Sequence, residues 1–303
     1  MSRAKSPVHV VIYGRHSVDW MQALDPAAPV WKLMPEVAAV TLLDESGQPP
    51  SADGYGDDPP VLIPLMEAHT RSRPTGFREL SPDAVSVDVL ADKRRFADYV
   101  ARHRLEALAP ARFLRPEDVR FPAVLKRADL NAGFGIVVLH NRAQLDMLLS
   151  LPAWQGVDYV LQAFIDDPLD VVTHCVCRDG AILWSTSLAY ELYPETPIRG
   201  TVPLRSVRPF APPREVLREI ARFLAPLGYT GPCNVDYKIG PSGELCLLEI
   251  NPRLGGSLMM PENVYLLRAL LGCIVENAAV ARPPATAAER PVAGRDPDVP
   301  PLA

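Results

Sequence analysis

Short apolar runs separated by polar connections dominate the first part of the chain. Residues 8–13 are apolar except for His9, and 37–43 and 61–65 repeat that pattern, with the polar, Gly/Pro-rich stretch 44–60 between the last two. Strands that are apolar on both faces belong to parallel sheets covered by helices. The pattern predicts a small α/β unit of roughly 80 residues, whose loops at the carboxyl ends of the strands carry ligands. A helix is predicted over 90–107, opening with Asp92-Lys93, and then strands 123–126 and 136–139 around Gly133-Phe134-Gly135. An amphipathic helix is expected at 142–151 and a strand at 159–165. A second hairpin, 171–176 with 181–185, turns at Arg178-Asp179-Gly180. The segment 190–203 reads as loop, and 214–227 as a helix stopped by Gly228. Strands 233–239 and 244–250 follow, joined by Gly240-Pro241-Ser242-Gly243, and then a last helix over 261–281.

Composition narrows the function classes. The 303 residues carry 31 Lys+Arg against 36 Asp+Glu, a net charge of −5, which argues against a nucleic-acid or anionic-membrane surface as the main partner. No apolar run approaches the roughly 18 residues that a bilayer-spanning helix needs. The five cysteines lie in apolar strand-like or helical text without zinc spacing or a secreted framework, so reduced thiols and a cytoplasmic location are expected. The absence of G-x-G-x-x-G leaves a dinucleotide site unsupported.

Candidate chemistry concentrates in Asp236 and in Glu249-Ile250-Asn251-Pro252-Arg253. Glu249 and Asn251 are two apart on one strand and share a face. If the hairpin loop takes four residues, Ile239 faces Glu244 and Asp236 faces Leu247, which puts Asp236 on that same face and diagonal to Glu249. The bare pattern also describes a hairpin whose polar face is turned to solvent. Buried, however, two carboxylates this close repel unless a cation sits between them. An all-oxygen set of two carboxylates and an amide selects a hard ion such as Mg²⁺.

With Pro252-Arg253-Leu254-Gly255-Gly256-Ser257 following directly, the chain resembles the ATP-grasp superfamily of carboxylate–amine and carboxylate–thiol ligases, to which D-alanine–D-alanine ligase and biotin carboxylase belong. The resemblance covers about residues 91–260, with its elements in the family order. It implies Asp236, Glu249 and Asn251 as ligands of two Mg²⁺ ions, and Arg253 as a catalytic cation for the phosphoryl group or the substrate carboxylate. The stretch 122–126 resembles the family's P-x-x-x-K, which makes Lys126 a contact of the ATP phosphates. Lys93 resembles the family's other phosphate lysine. Gly133 and Gly135 would form a turn closing over the β- and γ-phosphates, although the family's loop is usually richer in Gly and Ser. The strand 159–165 resembles the one that receives adenine, with Gln162 where Glu is common and with Phe164 and Ile165 beside it. Asp170 resembles the acidic residue that holds the ribose. Arg199, Gly200 and Arg205 lie where the family places a loop over the acceptor and phosphate. His69 with Glu67, Arg15-His16-Ser17 and the pair Gly255 and Gly256 are further candidates for substrate contact.

The resemblance implies mixed α/β and α+β architecture: an N-terminal α/β domain (1–88), a lid subdomain (89–165) and a metal-binding subdomain (166–282), with ATP between the last two. Residues 283–303, rich in Pro and Ala, read as a disordered tail. The expected activity is an ATP- and Mg²⁺-dependent ligation: a small-molecule carboxylate activated as an acyl phosphate, captured by an amine, with ADP and phosphate released. Intramolecular cyclisation, phosphorylation of one substrate, and nucleotide binding without turnover are the competing outcomes. Partners are expected to be small carboxylates and nucleophiles, not nucleic acid or membrane, and a homodimer is left open.

Overall fold

The three N-terminal apolar runs become β1 (Val8–Tyr13), β2 (Val37–Leu43) and β3 (Val61–Pro64), and all pair in parallel, β2 and β3 flanking β1. A computed structural model of the chain describes residues 7–44, 59–128, 130, 134–193, 195, 197–200, 204–240 and 243–280. The predicted tail, 283–303, therefore lies outside the described residues, as does Gly133. Helices α1 (Val18–Leu24) and α2 (Pro29–Lys32) cover one face of this sheet, and α3 (Glu67–Arg71) follows β3. The sequence pattern missed one extension. β4 (Arg78–Glu79) lies parallel to β3 and carries at its outer edge the antiparallel β14 (Ala279–Val280), from the far end of the described chain.

The helix expected over 90–107, opening with Asp92-Lys93, is α5 (Lys93–Arg102), shorter at its C-terminal end, and a helix the sequence pattern missed, α4 (Ala84–Ala91), precedes it. Asp92 separates the two. Its backbone is extended, and its side chain accepts from the N–H groups of Arg94 and Arg95, both at 2.8 Å, which satisfies two otherwise orphaned donors at the start of α5. Asp92→Ala is expected to cost about 1 kcal/mol, read as a lower midpoint in thermal unfolding; an unchanged midpoint would show that the cap is not used.

The second sheet is antiparallel, in the order β5-β8-β6-β7: β5 (Arg112–Phe113), β6 (Ala123–Arg127), β7 (Ile136–Leu139) and β8 (Tyr159–Ala163). Helix α6 (Arg142–Ser150) closes one face over Ala123, Leu125, Leu139 and Leu161, which leaves Val124, Lys126 and Gln162 on the other. The third sheet, in the order β11-β10-β9-β12-β13, is built from β9 (Leu169–Arg178), β10 (Ala181–Glu191), β11 (Ser206–Phe210), β12 (Gly231–Ile239) and β13 (Leu245–Asn251). Its β9–β10 turn has φ > 0 at both Asp179 and Gly180, the backbone of a tight primed hairpin, and both strands run longer than predicted. Helix α7 (Arg214–Leu224) and α5 cover one face through Phe96, Tyr99, Val216, Ile220 and Phe223. The Tyr99 hydroxyl fixes them together by donating to the Phe223 carbonyl at 2.6 Å. Gly228 caps the end of this helical segment with φ 55°, as the sequence implied.

The last helix, α8 (Val264–Asn277), is shorter than expected. Its Leu267, Leu270, Leu271, Ile274 and Val275 lie in one cluster with Val10, Ile12, Val61 and Ile63 of the N-terminal sheet and with Val176, Leu254 and Leu258. Among the described residues no helix is long and apolar enough to cross a membrane.

Candidate functional site

The second and third sheets turn their unshielded faces toward each other across a cleft of ≈ 470 Å³. Period-two alternation decides what reaches it. On β9, Asp170, Val172 and His174 line the cleft, while Val171, Cys175 and Cys177 belong to the helix-covered core. On β12, Asn234, Asp236 and Lys238 face the cleft, and Cys233, Val235 and Tyr237 face the core.

On β13 alternation is broken to the site's advantage. The expected register is off by one: Ile239 pairs with Leu245 and Tyr237 with Leu247. Leu248 is then an extra residue, and the register shifts so that Asp236 pairs directly with Glu249. This bulge returns both Leu248 and Glu249 to the cleft face, with Asn251 after them, while Leu247 and Ile250 stay in the core. Asp236 and Glu249 are thus directly opposite and not diagonal.

The three oxygen-bearing side chains meet. The Asn251 amide donates to Asp236 Oδ2 at 3.0 Å and to Glu249 Oε1 at 3.2 Å. Burial pushes the Asp236 carboxyl up, Arg199 pulls it back down, and Glu249 beside it pushes it up again. Two carboxylates and an amide oxygen in one hard-donor set suit an oxygen-seeking divalent cation, with Asn251 turning its oxygen inward.

Lys126 lies one residue before the end of β6, on the opposing sheet. Burial depresses its pKa and Glu249 draws it back, so the lysine and the carboxylates address each other across the cleft. Lys93 opens α5 in a small neighbouring pocket shared with Lys126, Gln162 and Glu249, and donates to the Leu130 carbonyl. Gln162, Phe164 and Ile165 line the cleft where β8 ends. The N–H groups of Ala163 and Phe164 are committed to the Ala111 and Pro122 carbonyls, at 2.8 and 3.2 Å, so this edge offers fewer free donors than an open strand. Gly135 forms the β6–β7 turn at φ 67° but is not part of the cleft wall; its neighbour Ile136 is.

Of the substrate candidates, His69, Glu67, Arg15, His16, Ser17 and Arg205 do not line the cleft. His69 is buried in the N-terminal unit: its Nδ1 accepts the Met66 N–H at 3.1 Å, and its ring packs on Gly14, whose φ of 97° and lack of a Cβ admit it. Arg205 is exposed and pairs with Glu191 at 3.1 Å. Arg199, Gly200, Gly255 and Gly256 do line the cleft. Arg253 also lines it and is held by Glu67 of α3 at 2.9 Å, an ion pair that ties the N-terminal unit to the end of β13. His16 stacks on Trp20 with ring centroids 4.2 Å apart and feels the charges of Arg253 and Glu67.

Sequence reasoning overlooked Lys238. It is buried, forms an ion pair with Asp170 at 2.6 Å and donates to the Asp167 carbonyl. Its spacing of two from Asp236 was the available signal. His174 falls within the strand expected over 171–176. It is buried, with Nε2 2.8 Å from Ser257 Oγ, and burial lowers its pKa to about 3, so the ring is neutral.

No protein-family signature matches the chain, and no curated protein matches it by sequence. Solved structures do match in fold. A D-alanine–D-alanine ligase from Bacillus anthracis complexed with ATP superposes with a TM-score of 0.57 at 15% identity, over 90% of this chain and 97% of that one. An L-amino acid ligase from Bacillus licheniformis gives 0.56 at 14% identity, over 91% and 76%. A phosphoribosylamine–glycine ligase from Thermotoga maritima gives 0.59 at 15% identity, over 85% and 71%.

Proposed function

We propose that this chain, whose fold is the ATP-grasp fold, is an ATP-dependent ligase that joins a small-molecule carboxylate to an amine. One observation carries the reading: Lys126 from one sheet and Asp236, Glu249 and Asn251 from the other converge on a single cleft that also contains the end of β8. Structural neighbours named as ligases are consistent with it.

In this reading the cleft divides by chemistry. The apolar walls of Val124, Ile136, Phe164 and Leu248 sandwich the purine. The Gln162 amide and the backbone at Ile165 meet its edge, because the Ala163 and Phe164 donors are already used. Asp170, oriented by Lys238, accepts from ribose hydroxyls. Lys126 and Lys93 hold the phosphates. Asp236, Glu249 and Asn251 would hold Mg²⁺, which supplies charge neutralisation at the transferring phosphoryl group when bound. The transfer spreads negative charge over the phosphoryl oxygens, so positioning and fixed cations contribute most of the rate.

The carboxylate oxygen attacks the γ-phosphorus in line, the bond to the bridging oxygen breaks, and ADP leaves. The amine then attacks the acyl carbon, loses its proton and expels phosphate. Arg253, fixed by Glu67 at 2.9 Å, is the cation for the substrate carboxylate and the developing oxyanion. Gly200 and Gly256 supply backbone beside the same space.

The test is ADP release in a coupled assay across amino acids and other small carboxylates, with and without amine acceptors. Acid-stimulated release with an amine adduct in the products is expected; no stimulation by any acid would sink the reading. Lys126→Ala should weaken ATP binding and slow turnover by roughly ten- to a hundred-fold, the size of one charge-assisted phosphate contact. Unchanged calorimetric affinity for ATP would show that Lys126 does not contact the phosphates.

A further inference from the structure

We propose that Arg199 is a resident counter-cation that must leave Asp236 before a divalent ion can bind there, so that nucleotide and metal bind cooperatively. The inference rests on the reading of Asp236, Glu249 and Asn251 as a cation site.

Arg199 comes from the connection between β10 and β11, on the opposite side of the sheet order from the β12–β13 hairpin. Its Nη2 donates to Asp236 Oδ1 in an ion pair whose carboxylate partner is buried. Asp236 Oδ2 accepts from Asn251, and the same Asn251 amide donates to Glu249 Oε1. Each of these contacts uses an oxygen that a metal ion would need. The trio is therefore satisfied by protein donors: a guanidinium takes the cation's place on Asp236, and an amide N–H₂ takes it between the carboxylates.

One further contact and one unmet donor of Arg199 suit a group that moves. Its guanidinium carbon lies 4.6 Å from the centroid of the Tyr190 ring, a stacking contact that tolerates sliding. Its Nη1 is buried and has no hydrogen-bond partner among the described residues, so the present position leaves one donor unsatisfied. A triphosphate entering the cleft offers that fork two or more oxygens. Transfer of Arg199 to phosphate would uncover Asp236 at the moment the phosphates supply an ion with extra ligands. By linkage, nucleotide then tightens metal binding and metal tightens nucleotide binding by the same factor.

The experiment is a titration of the full chain with Mn²⁺, followed by the electron paramagnetic resonance of free ion. It compares wild type, Arg199→Gln and Arg199→Lys, each without nucleotide and with a non-hydrolysable ATP analogue, and circular dichroism confirms that each variant is folded. Without nucleotide, Arg199→Gln should bind Mn²⁺ about ten-fold or more tighter than wild type, the worth of one displaced charged contact. With the analogue present that advantage should vanish. Arg199→Lys keeps the charge and should stay near the wild type. Equal Mn²⁺ affinity of wild type and Arg199→Gln without nucleotide would overturn the proposal, and so would tight binding by Arg199→Lys. Failure of the wild type to bind Mn²⁺ even with the analogue would overturn the cation site itself, and this inference with it.

Discussion

Glu249→Gln is expected to lower ATP-dependent turnover by roughly 100- to 1,000-fold, the range for removing one preorganised electrostatic group, while the thermal unfolding midpoint stays the same or rises. The substitution keeps the side-chain volume, and an amide oxygen still accepts the Asn251 donor now at 3.2 Å. What it removes is charge, in two directions. The cation set loses one of its two carboxylates. Lys126 loses the group that holds its ammonium form against burial, so a larger fraction of the lysine is neutral when phosphate arrives. Stability should not fall, because Asp236 and Glu249 face each other on paired strands and repel. ADP release measured at limiting and saturating Mg²⁺, beside scanning calorimetry, separates the two effects. Near-normal release at limiting Mg²⁺ would remove Glu249 from the cation set.

The second large effect is at Gly255. A Cβ built there would strike the His174 ring, lying 2.5 Å from Nδ1, and would lie 3.2 Å from the Asn234 Cβ. The ring cannot retreat easily: it is buried, and Ser257 anchors its Nε2 at 2.8 Å. Gly255→Ala is therefore expected to cost about 3 kcal/mol through overpacking, several degrees in melting temperature. His174→Ala in the same chain should recover much of that loss, since it removes the obstructing ring. A double-mutant cycle reads the coupling directly; additive costs would show that Gly255 is required by its backbone and not by His174. Either result bears on activity, because both residues line the cleft.

Much of this site was legible in the sequence because period two and short spacing carry it. Glu249 and Asn251 share a face for any strand conformation, and Asp236 follows once the hairpin is recognised. The bulge at Leu248 was not legible: it is set by how Leu247 and Ile250 must both enter the core, a tertiary demand that no local pattern records. The same holds for His69, whose destination depends on space created by Gly14, more than fifty residues earlier. The extra helix α4 was readable in principle, since Asp83 caps it by accepting from the Ser86 N–H. Asp92-Lys93 marked the start of α5 correctly, as a strong N-cap does. The ion pairs Arg253–Glu67 and Lys238–Asp170 join distant segments and leave no local trace.

The position of α8 bears on how the chain is made. The N-terminal strands emerge first from the ribosome, yet the helix that covers Val10, Ile12, Val61 and Ile63 is encoded some two hundred residues later. For most of translation that face is covered only in part, by α1 and α2, and the edge at β4, where β14 later adds, is unpaired. Such surfaces are where nascent chains associate wrongly or recruit chaperones. The two cleft-forming sheets can mature in order of synthesis, but the N-terminal unit closes last. The contacts that finish it span almost the whole described chain, and loop-closure entropy makes such contacts slow to form.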